Sequence, residues 1–212
     1  MIQDGLPRAF LSGLFGLLAM CPAHAQRALP RLEIAPGSLT VGTLVAVLNS
    51  VGFRLTGAPF HLGVGAISLV FLVYPLGAVS SAVSGRLADS VGRRALAPVG
   101  CAIAIVGALL TLPSSLPWVV AGLAVLTVGF FMVHAVASSW VPARAHAAGV
   151  STGQAAAFYL FSYYVGSSVF GSLGGQAWSV AGWTGVVGLA VVLLGAAGAV
   201  SVALRRIPRL TA

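Results

Sequence analysis

Lysine is absent from this chain, and acid nearly so: Asp4, Glu33 and Asp89 are its three carboxylates. Without lysine there can be no glycine-rich phosphate loop ending in Lys-Ser or Lys-Thr, which excludes that route to ATP hydrolysis. Two cysteines, Cys21 and Cys101, stand far apart in no metal or redox spacing and serve as small apolar filler. Charged residues make up only 7% of the chain, against roughly 25% in soluble domains. What replaces them is hydrocarbon: 58% of residues are hydrophobic and the mean hydropathy is +1.03. No soluble core of this size could hide so much apolar surface, so lipid is the solvent. The net charge of +8 rests on eleven arginines that lie between apolar runs rather than along one polar face. That placement argues against nucleic-acid binding.

A membrane helix needs about 20 mostly apolar residues to cross about 30 Å of hydrocarbon. Six segments qualify: Leu39–Leu55, Leu62–Ser84, Ala95–Leu112, Leu116–Ser139, Thr152–Ala177 and Thr184–Leu204. Proline and glycine punctuate the breaks, at Gly57–Pro59, Pro113, Pro142–Gly149 and Ser179–Gly182. Cytoplasmic loops retain positive charge. Arg27 and Arg31 precede the first span, Arg86, Arg93 and Arg94 follow the second, Arg144 the fourth, and Arg205, Arg206 and Arg209 the sixth. The other side holds only Arg54 and His61, so both ends of the six-span unit are expected in the cytoplasm. All four tryptophans sit at span ends, as an interfacial belt requires.

Residues 1–37 stand apart. Arg8, the apolar run Phe10–Met20 and Ala23-His24-Ala25 resemble a signal peptide. The rival reading, which the arginines after residue 26 favour, is the remnant of an upstream transmembrane helix followed by a basic cytoplasmic connector. Residues 38–208 then form the six-helix unit and 209–212 a cytoplasmic tail. Shifting the sequence by 89 residues lays Tyr74-Pro75-Leu76-Gly77-Ala78 on Tyr163-Tyr164-Val165-Gly166-Ser167. Those two spans run in opposite directions, the relation of an inverted three-plus-three repeat.

Polar residues sort by span. The third and sixth carry nothing more polar than Ser, Thr or Cys between their ends. The first holds Asn49, the second Tyr74, the fourth His134, and the fifth Gln154, Tyr159, Tyr163, Tyr164 and Gln176. Polar groups inside a membrane are expensive and face a bundle interior or a cavity. At helical spacing, Thr127, Phe131 and His134 share a face of span four. Phe71 and Tyr74 do so in span two, and Tyr159 and Tyr163 in span five. Together they predict an aromatic, weakly polar wall suited to amphipathic or apolar organic solutes. Gly171-x-x-x-Gly175 is expected to pack a helix closely. The spans contain no carboxylate, and His134 is their one side chain whose unperturbed pKa lies near neutrality.

Between spans two and three lies Gly85-Arg86-Leu87-Ala88-Asp89-Ser90-Val91-Gly92-Arg93-Arg94. Gly85 and Gly92 would permit a tight turn, Asp89 can meet the next helix N-terminus or an arginine, and Arg93 and Arg94 can reach lipid phosphates. The pattern G-x-L-A-D-x-x-G-R-R resembles the cytoplasmic-loop signature of the major facilitator superfamily of secondary transporters. Phe53-Arg54-Leu55, the run His134–Trp140 and Tyr163–Ser168 resemble the C-terminal half of YnfM-like bacterial inner-membrane efflux permeases. The resemblance covers Leu39 to Pro208. Ser90 departs from the basic residue often found after the Asp.

The resemblance implies an all-α integral membrane fold, one six-helix half of a twelve-span transporter. It implies that the first, second, fourth and fifth spans line a path for a small organic solute, and that the Asp89 loop latches the cytoplasmic gate. It further implies efflux by alternating access, proton-coupled in the complete protein, in a bacterial inner membrane. The expected partners are the solute, the bilayer and a missing N-terminal half. No enzyme activity, metal or cofactor is expected. The alternatives are an intramembrane hydrolase, from Gly166-Ser167-Ser168-Val169 with His134 as base, or a structural membrane bundle that transports nothing.

Overall fold

The computed structural model describes residues 31–204, apart from positions 148 and 150 and the side chains of residues 31–34 and 94. Both the signal-like or helix-remnant segment and the 209–212 tail lie outside the described residues. Among the described residues every regular element is helical. They are α1 (Arg31–Thr56), α2 (Val64–Val70), α3 (Leu76–Leu87), α4 (Arg93–Leu110), α5 (Leu116–Ala147) and α6 (Thr152–Leu204). One 3₁₀ turn, Phe71–Val73, joins α2 to α3, and a π-helical turn, Ala88–Gly92, joins α3 to α4.

Six membrane passes result. The stretches Ala35–Thr56, Val64–Gly92, Leu116–Ala147 and Thr152–Leu204 are long and apolar enough to cross, and Ala95–Leu110 is a shorter apolar helix. α6 is 53 residues long, about 80 Å at 1.5 Å per residue, far more than one crossing. It doubles back at Ala181 and Gly182, whose backbones leave the helical region; Gly182 has φ +57°. The two arms are the fifth and sixth passes. α1 begins at Arg31, so the expected connector is helical from there to Gly37.

The second pass differs from a plain helix. Pro75 has no N–H to donate and crowds the residue before it. The chain therefore closes i→i+3 bonds, Tyr74 N–H to Phe71 O (3.0 Å) and Gly77 N–H to Tyr74 O (2.9 Å), before α3 resumes. The break aims Tyr74 at α5.

Glycines set the close contacts. α4 and α5 meet through Gly100, Gly107, Gly122 and Gly129; a methyl on Gly100 would lie 2.9 Å from the Gly129 carbonyl. α1 meets the first arm of α6 through Gly166, Gly171 and Gly174, where a methyl would strike Ser38, Val45 or Ala46. Small residues let backbones approach when no hydrophobic drive operates between helices. Gly175, by contrast, faces open space, so the packing pair is Gly171 and Gly174 rather than Gly171 and Gly175. α1 on the fifth pass, and α3 on α5, are the equivalent pairings of an inverted repeat.

One large apolar core runs through α1, α2, α4, α5 and the second arm of α6, centred on Phe130, Leu126, Val51 and Leu194. The Val64–Gly92 pass is least covered, with 22% of its apolar window buried against 56% for Leu116–Ala147.

Candidate functional site

Tyr74, Phe131, His134, Tyr159 and Tyr163 come from three passes and form one continuous ring cluster. Tyr74 meets Phe131 edge-on, with centroids 5.3 Å apart. Phe131 lies 6.4 Å from His134, which lies 5.2 Å from Tyr163 and 6.1 Å from Tyr159. Phe130 stacks on the imidazole at 5.8 Å, and Tyr164 extends the cluster from Tyr163 at 5.6 Å. Offset and edge-on pairs of this kind suit the ring quadrupole. The Tyr159 hydroxyl and His134 Nδ1 are 3.1 Å apart, a hydrogen bond between passes five and four. Two glycines make room. A side chain at Gly77 would enter the Phe131 ring, and one at Gly37 would lie 2.7 Å from the Tyr159 ring.

The other path residues sit differently. Thr127 is buried inside the bundle, one turn from Phe131 but away from the open side. Phe71 is partly exposed one turn before Tyr74. Asn49 is exposed on α1 beside Gly171 of the fifth pass. Tyr159 is almost fully buried, at 3%, whereas Tyr74 is 42% exposed. The wall thus grades from a fixed, covered end to an open one.

In the loop expected to form a gate, only Gly92 uses glycine's freedom, with φ +91°. Gly85 lies within α3, its Cα facing open space, because the helix continues through the π-helical turn instead of closing a short hairpin. Arg86 and Asp89 are exposed, Arg93 is half-buried, and the Arg94 side chain lies outside the described residues. Ala88 packs with Leu96, Ala97 and Val136, which anchors the turn to α4 and α5.

A second polar centre, at the opposite end, was not singled out in the sequence. Arg54 is the one charged side chain buried among the described residues. Its guanidinium donates to the carbonyls of Thr111, Leu112 (3.1 Å) and Pro113 (2.9 Å), at the C-terminus of α4. The cation meets the negative end of the helix dipole there. The guanidinium also stacks over Trp183 (4.7 Å) and Phe60 (5.5 Å). Trp183 donates its indole N–H to Thr111 Oγ1 at 3.0 Å. Trp183 is therefore an internal residue, not part of the belt, because its N–H and ring face both find partners inside. The sequence signals were a lone arginine on the arginine-poor side and its place in the Phe53-Arg54-Leu55 run.

No family model matches the sequence, and no solved structure does. Curated proteins do. The chain is 42% identical over 159 residues to the uncharacterized MFS-type transporter YybF of Bacillus subtilis, covering 74% of this chain and 38% of that protein. It is 39% identical over 169 residues to the inner membrane transport protein YnfM of Escherichia coli, covering 80% and 40%. It is 32% identical over 171 residues to an uncharacterized transporter of Buchnera aphidicola from Schizaphis graminum, covering 81% and 41%. The chain spans about two fifths of the length of the curated relatives it matches. These homologues are transporters, not enzymes.

Proposed function

The chain belongs to the major facilitator superfamily of membrane transporters, and from that premise we propose that it is the C-terminal six-helix half of a transporter that moves a small organic solute by alternating access. The observation that carries this reading is the convergence of Tyr74, Phe131, His134 and Tyr163 from three passes on one wall. Aromatic faces and a few neutral polar groups inside a membrane bundle suit a solute path. Asn49, Phe71, Thr127 and Tyr159 extend or support it. The sparse cover over the Val64–Gly92 pass leaves a face for the N-terminal half, which completes the path from the other side.

In this proposal the protein is a multi-pass resident of a bacterial inner membrane, with the Arg86, Arg93 and Arg94 loop in the cytoplasm. Gly85, Arg86, Asp89, Gly92, Arg93 and Arg94 act there as a gate latch against the missing half. Asp89 is exposed and so accessible to a partner helix end. Transport is outward and driven by protons. The resemblance to efflux permeases supports both features.

The test replaces His134 or Tyr163 with Ala in the chain assembled with an N-terminal half. Solute flux should fall at least tenfold while expression stays normal; unchanged flux would remove both residues from the path. Purified chain alone should move nothing across a vesicle membrane, and flux without a partner half would overturn the half-transporter reading.

A further inference from the structure

Tyr159 is a nearly sealed phenol, and a buried hydroxyl is costly to leave without a partner. Among the described residues its one hydrogen-bond partner is His134 Nδ1, at 3.1 Å. A neutral imidazole has one donor and one acceptor nitrogen. If Nδ1 carried the proton, the phenol would accept and its own O–H would find no acceptor among the described residues. If Nδ1 is the acceptor, the phenol donates and both groups are satisfied. The proton then sits on Nε2. That nitrogen makes no hydrogen bond to the described residues, and His134 is only half-buried. Phe130, Phe131 and Tyr163 hold the ring from the sides.

We propose that Tyr159 is a positioning residue that locks His134 as its Nε2–H tautomer, presenting one fixed donor to a planar aromatic solute that carries an acceptor oxygen. The solute part rests on the path proposed above; the tautomer part stands without it. Among the described side chains the wall supplies π faces and donors but no carboxylate, Asp89 lying in the loop at the end of the bundle. An acceptor oxygen therefore finds a partner on the wall, and an organic cation finds no counter-charge among its described side chains.

The experiment labels histidine with ¹⁵N in the purified chain in detergent, with the His134 signal assigned through His134→Gln. At alkaline pH the wild type should show a single neutral tautomer protonated at Nε2. Tyr159→Phe, which keeps the ring and its packing, should give a mixture of tautomers, and Tyr163→Phe should leave the tautomer fixed. Added 2-naphthoate should shift the Nε2 signal of the wild type and bind Tyr159→Phe more weakly in proportion to the Nε2–H tautomer lost, about twofold for an even mixture. 2-Naphthyltrimethylammonium should leave the Nε2 signal in place. An Nδ1-protonated wild type, or a tautomer indifferent to Tyr159→Phe, overturns the positioning. An equal Nε2 response to the cation overturns the solute class. A locked tautomer in an assembled protein that moves no solute supports the positioning and sinks the transport reading.

Discussion

Replacing Arg54 with Ala should be among the most destabilising single changes in this bundle, and its size can be worked from the contacts. The guanidinium serves three carbonyls. Leu112 and Pro113 are exposed, so their carbonyls can turn to water or headgroups, but Thr111 is fully buried. Stranding the Thr111 carbonyl costs about 1–3 kcal/mol. Losing the cation from the Trp183 face costs about 1 kcal/mol, and emptying the space of the aliphatic stem about another. Removing the charge also relieves its desolvation, which offsets part of the sum. The net expectation is about 3 kcal/mol. Arg54→Met should recover about 1 kcal/mol by keeping the stem. Arg54→Lys should fall between, since an ammonium cannot span three carbonyls and two rings. Unfolding in mixed detergent micelles, followed by tryptophan fluorescence, measures this directly. A double-mutant cycle with Trp183→Phe should return a coupling near 1 kcal/mol. If Arg54→Ala unfolds within about 0.5 kcal/mol of the wild type, the reading of this centre as a stabilising hub is wrong.

Two serines one turn apart in α3 give a paired prediction. Ser80 donates to the Val128 carbonyl across to α5 at 2.7 Å, and Ser80→Ala should cost about 0.6–1 kcal/mol in the same assay. The Ser84 hydroxyl is buried with no partner among the described residues, so Ser84→Ala should be neutral or stabilising. Gly107→Val would drive a side chain into the backbone of Leu126 and should cost about 1–3 kcal/mol, whereas Gly175→Ala, facing open space, should change stability little. For orientation, a thiol placed at the exposed Ser90 in a chain lacking Cys21 and Cys101 should resist an impermeant maleimide in intact cells and react in inverted vesicles; labelling of intact cells would reverse the proposed topology.

Much of the bundle was legible because hydrocarbon imposes length and proline and glycine mark the turns. The breaks at Gly57–Pro59, Pro113 and Ser179–Gly182 coincide with the ends of α1, α4 and the first arm of α6. The tyrosines and His134 could be grouped because helical spacing fixes which side chains share a face. Periodicity says nothing of depth, however, which is why Thr127 shares a face with Phe131 yet lies inside. Nor does it reveal pairings between distant positions. Arg54 and Thr111 are 57 residues apart, and no local pattern announces that a helix end will fold over a guanidinium. Gly85 shows the opposite failure. A glycine in a turn-like motif invites a turn, but the helix carries on when the following residues can extend it by one wide turn.

The reversal at Ala181–Gly182 uses almost no chain. Gly182 holds a positive φ and Trp183, the next residue, is already seated under Arg54. A single inserted amino acid would swivel everything downstream by roughly 100°, swinging the indole away from its seat. This elbow cannot host an epitope, a tag or a natural insertion.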